Sequence, residues 1–168
     1  SAEIAKATIN VAKYVFLDWL GCAIAGAQDT ASLRQVLNVA DLAGGQPEAT
    51  LIGSNRRTFL CYAVLANGIV GRTLGLFDTI GPSEMVVSSA VIPASLSLTE
   101  KLGRSGQDFL VAVVVGYEVA AYLGQMRSKP VCTTRSNGQI ESCAAAAASA
   151  RILGLNTDDT ASALAIAW

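Results

Sequence analysis

The chain has 168 residues, which is enough for one domain with one sizeable core. Hydrophobic residues make up 52% of the chain and charged residues only 15%, against about 25% in typical soluble domains. Polar residues are therefore too few to cover an isolated globule, and we expect another domain, a second subunit or a membrane to cover the surplus apolar surface. A formal charge of −1 with scattered Lys and Arg excludes an electrostatic footprint for nucleic acid.

Of these three explanations for the surplus apolar surface, membrane insertion has the least support. Asp18 and Glu118 interrupt the most apolar runs, which fall short of the roughly 20 clean apolar residues that a membrane span needs. No basic segment precedes an apolar stretch at the start, as a signal peptide would require. Three of the four cysteines lie in apolar or Ala-rich runs, which predicts buried thiols in a reducing, cytoplasmic compartment; the four are Cys22, Cys61, Cys132 and Cys143.

Cofactor motifs are absent from the sequence. It contains no histidine and no Cys-x-x-Cys pair, so the commonest zinc ligands are missing. It also has no G-x-G-x-x-G after a strand and no Walker-type loop. We therefore predict that no metal and no organic cofactor takes part in any activity of this chain.

The first third of the chain predicts two helices. Residues 2 to 27 begin amphipathic and then become apolar on all sides, as in a helix that starts at a surface and ends in a core. A second helix has Asp29 or Thr30 as its N-cap and Gly44 as its stop. After it, the run ATLIG at residues 49 to 53 predicts an extended connection or an isolated edge strand.

The remaining two thirds are helical in pattern. Ser105 with Asp108 three residues later forms a capping-box signal, while Gly103 and Gly154 mark helix ends. Asn156, followed by two aspartates, opens a last helix. The predicted helices are residues 58–74, 88–102, 105–126, 139–153 and a segment from 156 onward.

These patterns predict an all-α fold, bundle-like, with six or seven helices, little or no strand, and a Gly/Pro-containing loop at residues 75 to 87. The run AAAAASA in residues 144 to 150 allows helix axes to approach closely. A low-complexity linker is the alternative for this run, but caps bound it and Ala is the best helix former.

Three ordered segments resemble the motifs of the MmgE/PrpD family. FLDWLGCAIAG, from Phe16 to Gly26, resembles the family's LD-x-x-G helix. ANGIVGRTLGLFDT, from Ala66 to Thr79, is similar to N-G-x-x-x-H-x-x-D-x-D-D-T, and VVSSAVIPA continues it as H-P-S-x-x-x-x-P-A does. SNGQIESCAAAAASARILGL, from Ser136 to Leu155, resembles the segment at the family's H-P-T-G loop, and GYEV at residues 116–119 also fits.

The resemblance implies the N-terminal part of a large helical domain. In the family, a smaller α/β domain and a later return of the chain complete the fold, so we expect residues 1–168 to form a single helical segment that lacks both. The loops after the N-G helix and at H-P-T-G carry acidic and histidine side chains into a cleft between the two domains. The implied chemistry is elimination or decarboxylation of small polycarboxylates through proton abstraction.

This chain departs from the family pattern at the histidines. Arg72 stands where the N-G motif has histidine, and Arg135 stands at the histidine of H-P-T-G. Gly75 and Phe77 occupy acidic positions, and Val86 occupies the histidine of H-P-S. The positions that match are Asp78, Thr79, Ser88 and Gly138, with Asn137 at the H-P-T-G threonine.

The resemblance thus assigns Asp78 and Thr79 to catalysis, and Asn137, Gly138 and Ser88 to substrate binding. Arg72 and Arg135 join the predicted binding residues because a guanidinium can hold a carboxylate bidentately. The residue pattern alone leaves other interpretations open: Asp78 as a turn residue among glycines, and the arginines as partners in salt bridges rather than as carboxylate ligands. Asp18, inside an apolar helix, is interpreted as a buried, hydrogen-bonded structural carboxylate.

Two functions of different class follow. The first is a divergent lyase (dehydratase or decarboxylase) or isomerase of a small carboxylic acid, working as a homodimer or with a complementing polypeptide. The second is a non-catalytic scaffold or regulatory subunit that kept the fold and lost the catalytic histidines. The enzyme hypothesis places the weight on Asp78, because an arginine stays protonated and cannot act as an ordinary base.

Overall fold

The computed structural model describes residues 4–28, 31–76, 78–81, 85–126 and 134–168, and for Ser32 and residues 134–137 it describes the backbone only. Within these ranges the chain forms seven α-helices and one two-stranded antiparallel hairpin, which confirms the all-α class. The helices are α1 Lys6–Gly26, α2 Ala31–Ala43, α3 Leu60–Arg72, α4 Ser88–Leu102, α5 Gly106–Gln125, α6 Thr134–Leu153 and α7 Thr157–Ala167. The strands are β1 Ala49–Thr50 and β2 Arg57–Thr58.

Local capping signals set several helix boundaries. The Ser105 hydroxyl accepts the Asp108 N–H at 3.1 Å while the Asp108 carboxylate accepts the Ser105 N–H at 3.2 Å, so the predicted capping box is present. The Asn156 side chain caps α7 by accepting the Asp159 N–H at 2.9 Å. Gly103 (φ 59°) and Gly154 (φ 70°) adopt the left-handed conformation after α4 and α6, as expected for C-terminal stops.

Helix α4 lies at the centre of the bundle and contacts α1, α3, α5, α6 and β1. Its buried side includes Val91, Ile92 and Leu98. Pro93 lies inside the helix and has no N–H to give to the Ser89 carbonyl. That carbonyl faces α3 at Gly68, where a Cβ atom would lie only 3.1 Å from it. The missing side chain at Gly68 therefore lets α3 pack directly against the α4 backbone.

Glycines also set the distance between α1 and α3. A Cβ atom on Gly71 would lie 2.3 Å from Nε1 of Trp19, and one on Gly26 would lie 2.2 Å from the Val70 carbonyl oxygen. Trp19 is 2% exposed, and Phe16 connects it to Phe109 of α5 through an edge-to-face contact with ring centroids 4.9 Å apart. The largest aromatic group of the core thus fits only because α3 carries no side chain at position 71.

Several boundaries differ from the predictions. Helix α6 starts at Thr134 rather than near residue 139, so Arg135, Asn137 and Gly138 belong to its first turns and not to a preceding loop.

The ATLIG strand is paired rather than isolated, because Ala49 and Thr50 align with Thr58 and Arg57. The N-caps predicted at residues 29 and 30 lie outside the described residues.

Two burial predictions are wrong. Asp18 is exposed and not a buried carboxylate, because α1 turns the Trp19 side to the core and its opposite side outward. Of the described cysteines only Cys143 is buried, while Cys22 is half-buried and Cys61 is exposed. Burial raises the pKa of the Cys143 thiol. Burial and, to a lesser extent, the charge of Asp18 raise the pKa of the Cys22 thiol.

Two helices, α1 and α5, are long and apolar enough to cross a membrane by length and composition. Core helices of soluble proteins meet the same criterion, and a third of each apolar window is buried within the bundle (33%). These helices are therefore weak evidence for membrane spans, and the cytoplasmic location stays a prediction.

The Gly71–Trp19 contact predicts a large difference between two glycine-to-alanine substitutions. Gly71→Ala forces a methyl group into the indole ring, and we expect it to lower the free energy of unfolding by about 1–3 kcal/mol. Gly21→Ala is the matched control, because a Cβ there meets nothing within 4 Å. It should leave stability unchanged or raise it by about 0.5–1 kcal/mol. Equal urea midpoints for the two variants would contradict this packing.

Candidate active site

The loop between α3 and α4 carries Asp78 and Thr79. Gly75 (φ 67°) and Gly81 (φ 41°) adopt left-handed conformations in it that other residues rarely take. The Ile80 N–H donates to the Met85 carbonyl at 2.9 Å, and Met85 is fully buried. This bridge anchors the loop to the start of α4 and fixes the backbone next to Asp78.

Asp78 is hydrogen-bonded to α5. The Tyr117 hydroxyl donates to Oδ2 of Asp78 at 2.5 Å, within the short range expected for a bond to a charged acceptor. Ser88 also lies close enough to the Tyr117 hydroxyl to lower the pKa of Tyr117. Ser88 is the first residue of α4 and is 2% exposed. The loop, α4 and α5 thus meet at the Tyr117 hydroxyl, which brings together two residues that the sequence assigned to the site.

The environment of Tyr117 holds its hydroxyl in the neutral form. Burial raises the pKa of Tyr117 well above its ordinary value, and the charge of Asp78 and its hydrogen bond raise it further. The charge of Asp18 on α1 adds to this effect, while Ser88 opposes it. Tyr117 is therefore a hydrogen-bond donor throughout the physiological pH range.

The second carboxylate oxygen of Asp78, Oδ1, differs from Oδ2 in its hydrogen bonding. Oδ1 is shielded from solvent and has no hydrogen-bond partner among the described residues. A buried polar atom without a partner is unfavourable, and a catalytic role is one of the physical reasons for such an atom. Asp78 as a whole is half-buried and Thr79, the next residue, is exposed, so the shielded oxygen belongs to a side chain at the edge of the core.

Arg72 forms an ion pair with Glu141. Its Nη1 atom lies 3.1 Å from Oε2 of Glu141, and the two side chains are 44% and 14% exposed. Burial raises the pKa of Glu141, and the positive charge of Arg72 partly opposes this shift. The pair links the C-terminal end of α3 to the N-terminal half of α6. In this state the guanidinium is engaged by a carboxylate of the chain itself.

The other predicted binding residues lie in the first turns of α6. Arg135 and Asn137 are in the helix, but their side chains are outside the described part of the structure. Gly138 is exposed, and its carbonyl accepts the Ser142 hydroxyl at 2.8 Å. Gly138 and Glu141 are three residues apart and so share one side of the helix. Arg72 therefore reaches the same side of α6 as one of these predicted residues.

The asparagine of the N-G segment has a structural role. Asn67 is 1% exposed; its Oδ1 accepts the Ile52 N–H and its Nδ2 donates to the Thr50 carbonyl, both at 2.9 Å. It thereby attaches the β-hairpin to α3. Glu100 supports the same strand by accepting the Thr50 N–H at 2.6 Å.

An apolar groove of about 600 Å³ lies between α5, α6 and α7. None of the predicted site residues lines it; its lining residues are Glu118, Val119, Tyr122, Leu123, Cys143, Leu164, Ala165 and Trp168. In the described ranges, no cluster of three or more Cys, Asp or Glu side chains could hold a metal ion.

Comparison with known proteins decides the family. The profile of the MmgE/PrpD N-terminal domain matches residues 1–168. The chain belongs to the MmgE/PrpD family. The cis-aconitate decarboxylase-like protein oryM of Aspergillus oryzae (strain ATCC 42149 / RIB 40) is 32% identical over 178 residues, covering 99% of this chain. The chain spans 36% of the length of that relative.

Within this MmgE/PrpD domain, sequence reasoning missed Tyr117 and Glu141 as partners of the predicted site residues. Tyr117 was part of the GYEV match but received no role, because its partner is 39 residues away in the chain. Glu141 is separated from Arg72 by 69 residues. The only available signal was a polar side chain inside an otherwise apolar or Ala-rich helix.

The Asn67 contacts predict a stability effect without a catalytic role. Asn67→Ala removes the partners of one backbone N–H and one carbonyl, and we expect it to lower the free energy of unfolding by about 2–4 kcal/mol. Asn38→Ala, on the exposed side of α2, is the control and should change stability by less than about 0.5 kcal/mol. Urea unfolding followed by circular dichroism measures both. An Asn67→Ala protein with wild-type stability would contradict the structural role of Asn67 between the β-hairpin and α3.

Proposed function

We propose that this MmgE/PrpD chain is part of a lyase of the dehydratase or decarboxylase type that acts on a small carboxylic acid, with Asp78 as its proton-transfer group. One observation carries the proposal: Asp78 is held at Oδ2 by Tyr117, while its buried Oδ1 lacks a partner among the described residues. The relative's designation as cis-aconitate decarboxylase-like supports the substrate class.

The proposed chemistry needs a base next to a substrate carboxylate. In a dehydration, the Asp78 carboxylate takes a proton from the carbon beside that group, the C–H electron pair moves into the enolate-like carboxylate system, and the double bond forms as hydroxide leaves from the next carbon. In a decarboxylation, the C–C bond to the departing CO2 breaks instead, and the protonated form of Asp78 gives its proton to that carbon system. Thr79 is the exposed neighbour that contacts the reacting part of the substrate. Positive charges stabilise the negative charge that develops, and Arg72 and Arg135 are the candidates in this segment.

Arg72 and Glu141 suggest how a carboxylate substrate is recognised. A guanidinium that already holds a carboxylate can exchange it for the carboxylate of a substrate. Because the pair is partly exposed, its own stabilising contribution is only about 0–1 kcal/mol, which leaves the exchange feasible. Asn137 and Gly138 complete the proposed binding set. Ser88, which the sequence also assigned to it, is buried beside Tyr117, and we give it no contact with the substrate.

The proposed assembly is larger than this segment. The chain spans 36% of its relative, and large apolar side chains are exposed on α1, including Val11, Tyr14 and Leu17 at 60%, 71% and 65%. We propose that a second copy of the protein or a complementing polypeptide covers part of this surface, and that the assembly is cytoplasmic.

A non-catalytic scaffold is the second candidate. The Arg72–Glu141 ion pair favours it, because an arginine at the family's histidine position here serves a contact between helices. In that case Asp78 would only secure the loop to α5.

Asp78→Asn in the complete native protein separates the two candidates. Asparagine keeps an acceptor for Tyr117 but cannot take a proton, so turnover of cis-aconitate or 2-methylcitrate should fall by about 10²–10⁴-fold. The melting temperature should change little. Asp158→Asn on exposed α7 is the matched control and should retain full activity.

Two outcomes would count against the lyase. Wild-type turnover by Asp78→Asn would exclude Asp78 as the base. A wild-type protein that turns over neither acid would instead favour the scaffold.

A further inference from the structure

The Asp78 carboxylate is fixed through one oxygen. Tyr117 donates to Oδ2 at 2.5 Å, whereas Oδ1 has no donor among the described residues. A hydrogen bond to one oxygen restricts the rotation of the carboxylate and leaves the other oxygen as the one without a donor. The hydrogen bond thus selects which oxygen remains available for a proton.

Tyr117 is itself held in place. Its ring packs against the main core, and its neighbour Gly116 lets α5 approach α4 and α6 closely. A Cβ on Gly116 would lie 2.8 Å from a Val91 methyl group and 3.0 Å from the Ala144 carbonyl oxygen. The phenol is therefore positioned by three packed helices rather than by the loop that carries Asp78.

Ser88 is the polar neighbour of Tyr117 on α4. It is almost fully buried at the first residue of that helix, and it opposes the rise in the pKa of Tyr117. The phenol proton is donated to Asp78, so the phenol oxygen is left as an acceptor on the side of Ser88.

We propose that Tyr117 is a positioning residue for the reaction described above, that Ser88 supports it, and that Oδ1 of Asp78 is the oxygen that receives the proton. This inference rests on the proposed function. In the step, the substrate C–H bond breaks, an O–H bond forms at Oδ1, and the electron pair remains on the substrate. Tyr117 keeps its own proton throughout. Ser88 thereby acts on the carboxylate through Tyr117 and not on the substrate.

Tyr117→Phe in the complete native protein tests the inference, because it removes the hydroxyl and keeps the ring. We expect kcat to fall by about 10- to 100-fold, as for loss of a hydrogen bond to a charged group. KM should change by less than about 3-fold, since Tyr117 does not contact substrate. Tyr122→Phe, at an exposed position of the same helix, is the control and should leave both constants unchanged.

Ser88→Ala gives a second measurement that does not depend on Tyr117→Phe folding. Alone it should lower kcat by about 2- to 10-fold, as for loss of a neutral hydrogen bond. In the Tyr117→Phe or Asp78→Asn background, Ser88→Ala should lower kcat no further, because Ser88 acts only through Tyr117 and Asp78.

The outcomes separate this inference from the proposed function. If Asp78→Asn abolishes turnover while Tyr117→Phe keeps the wild-type kcat, the positioning role is overturned and the lyase stands. A rise in KM with unchanged kcat, or full additivity of Ser88→Ala and Tyr117→Phe, also overturns it. If wild-type protein is inactive, or Asp78→Asn is fully active, the proposed function fails and the inference fails with it.

Discussion

Close backbone packing around α4 is the constraint on which the other features depend. Gly68 lets α3 reach the Ser89 carbonyl that Pro93 leaves without an intrahelical donor, and Gly116 lets α5 reach both α4 and α6. Helices can approach this closely only where side chains are absent or small. The approach places a phenol of α5 beside the loop that follows α3. The Asp78–Tyr117 contact is thus a consequence of how the bundle packs.

The features predicted well from sequence are local ones. The capping box at Ser105, the stop at Gly103 and the cap at Asn156 each depend on residues within one turn, and all three are present. The start of α4 lies at the predicted residue 88, while α3 ends at Arg72, two residues before the predicted end. The family motifs predicted Asp78 in the loop between these helices.

The features missed are those that depend on distant parts of the chain. The second half of helix α1 is apolar on almost all sides, so its pattern could not indicate that the Trp19 side packs inward and Asp18 faces outward. The pairs Asp78–Tyr117 and Arg72–Glu141 bring together residues far apart in sequence, and no periodicity encodes them. The start of α6 was placed too late because polar residues there hide the helical pattern.

The departures from the family motifs gain a physical interpretation from these contacts. Arg72, at a family histidine position, is matched in this chain by a carboxylate on α6, so a titratable imidazole has been replaced by an ion pair. Asp78 keeps its place in the motif and has a neutral phenol as its donor. An acid–base function in this segment therefore depends on the carboxylate and its hydrogen bonds, because arginine cannot exchange a proton near neutral pH.

The contact between Asp78 and Tyr117 is the central claim, and the ionisation of Tyr117 tests it most directly. Neutral Tyr117 favours the folded state below the ordinary tyrosine pKa of about 10, and this contribution is lost as the pH rises through its raised value. In the native protein labelled with ¹³C at tyrosine Cζ, the Tyr117 signal, assigned with Tyr117→Phe, should still be that of the neutral form at pH 10. Asp78→Asn should lower its pKa without fully restoring the ordinary value, because burial remains. A Tyr117 signal that titrates at the ordinary value, and identically in Asp78→Asn, would contradict the account.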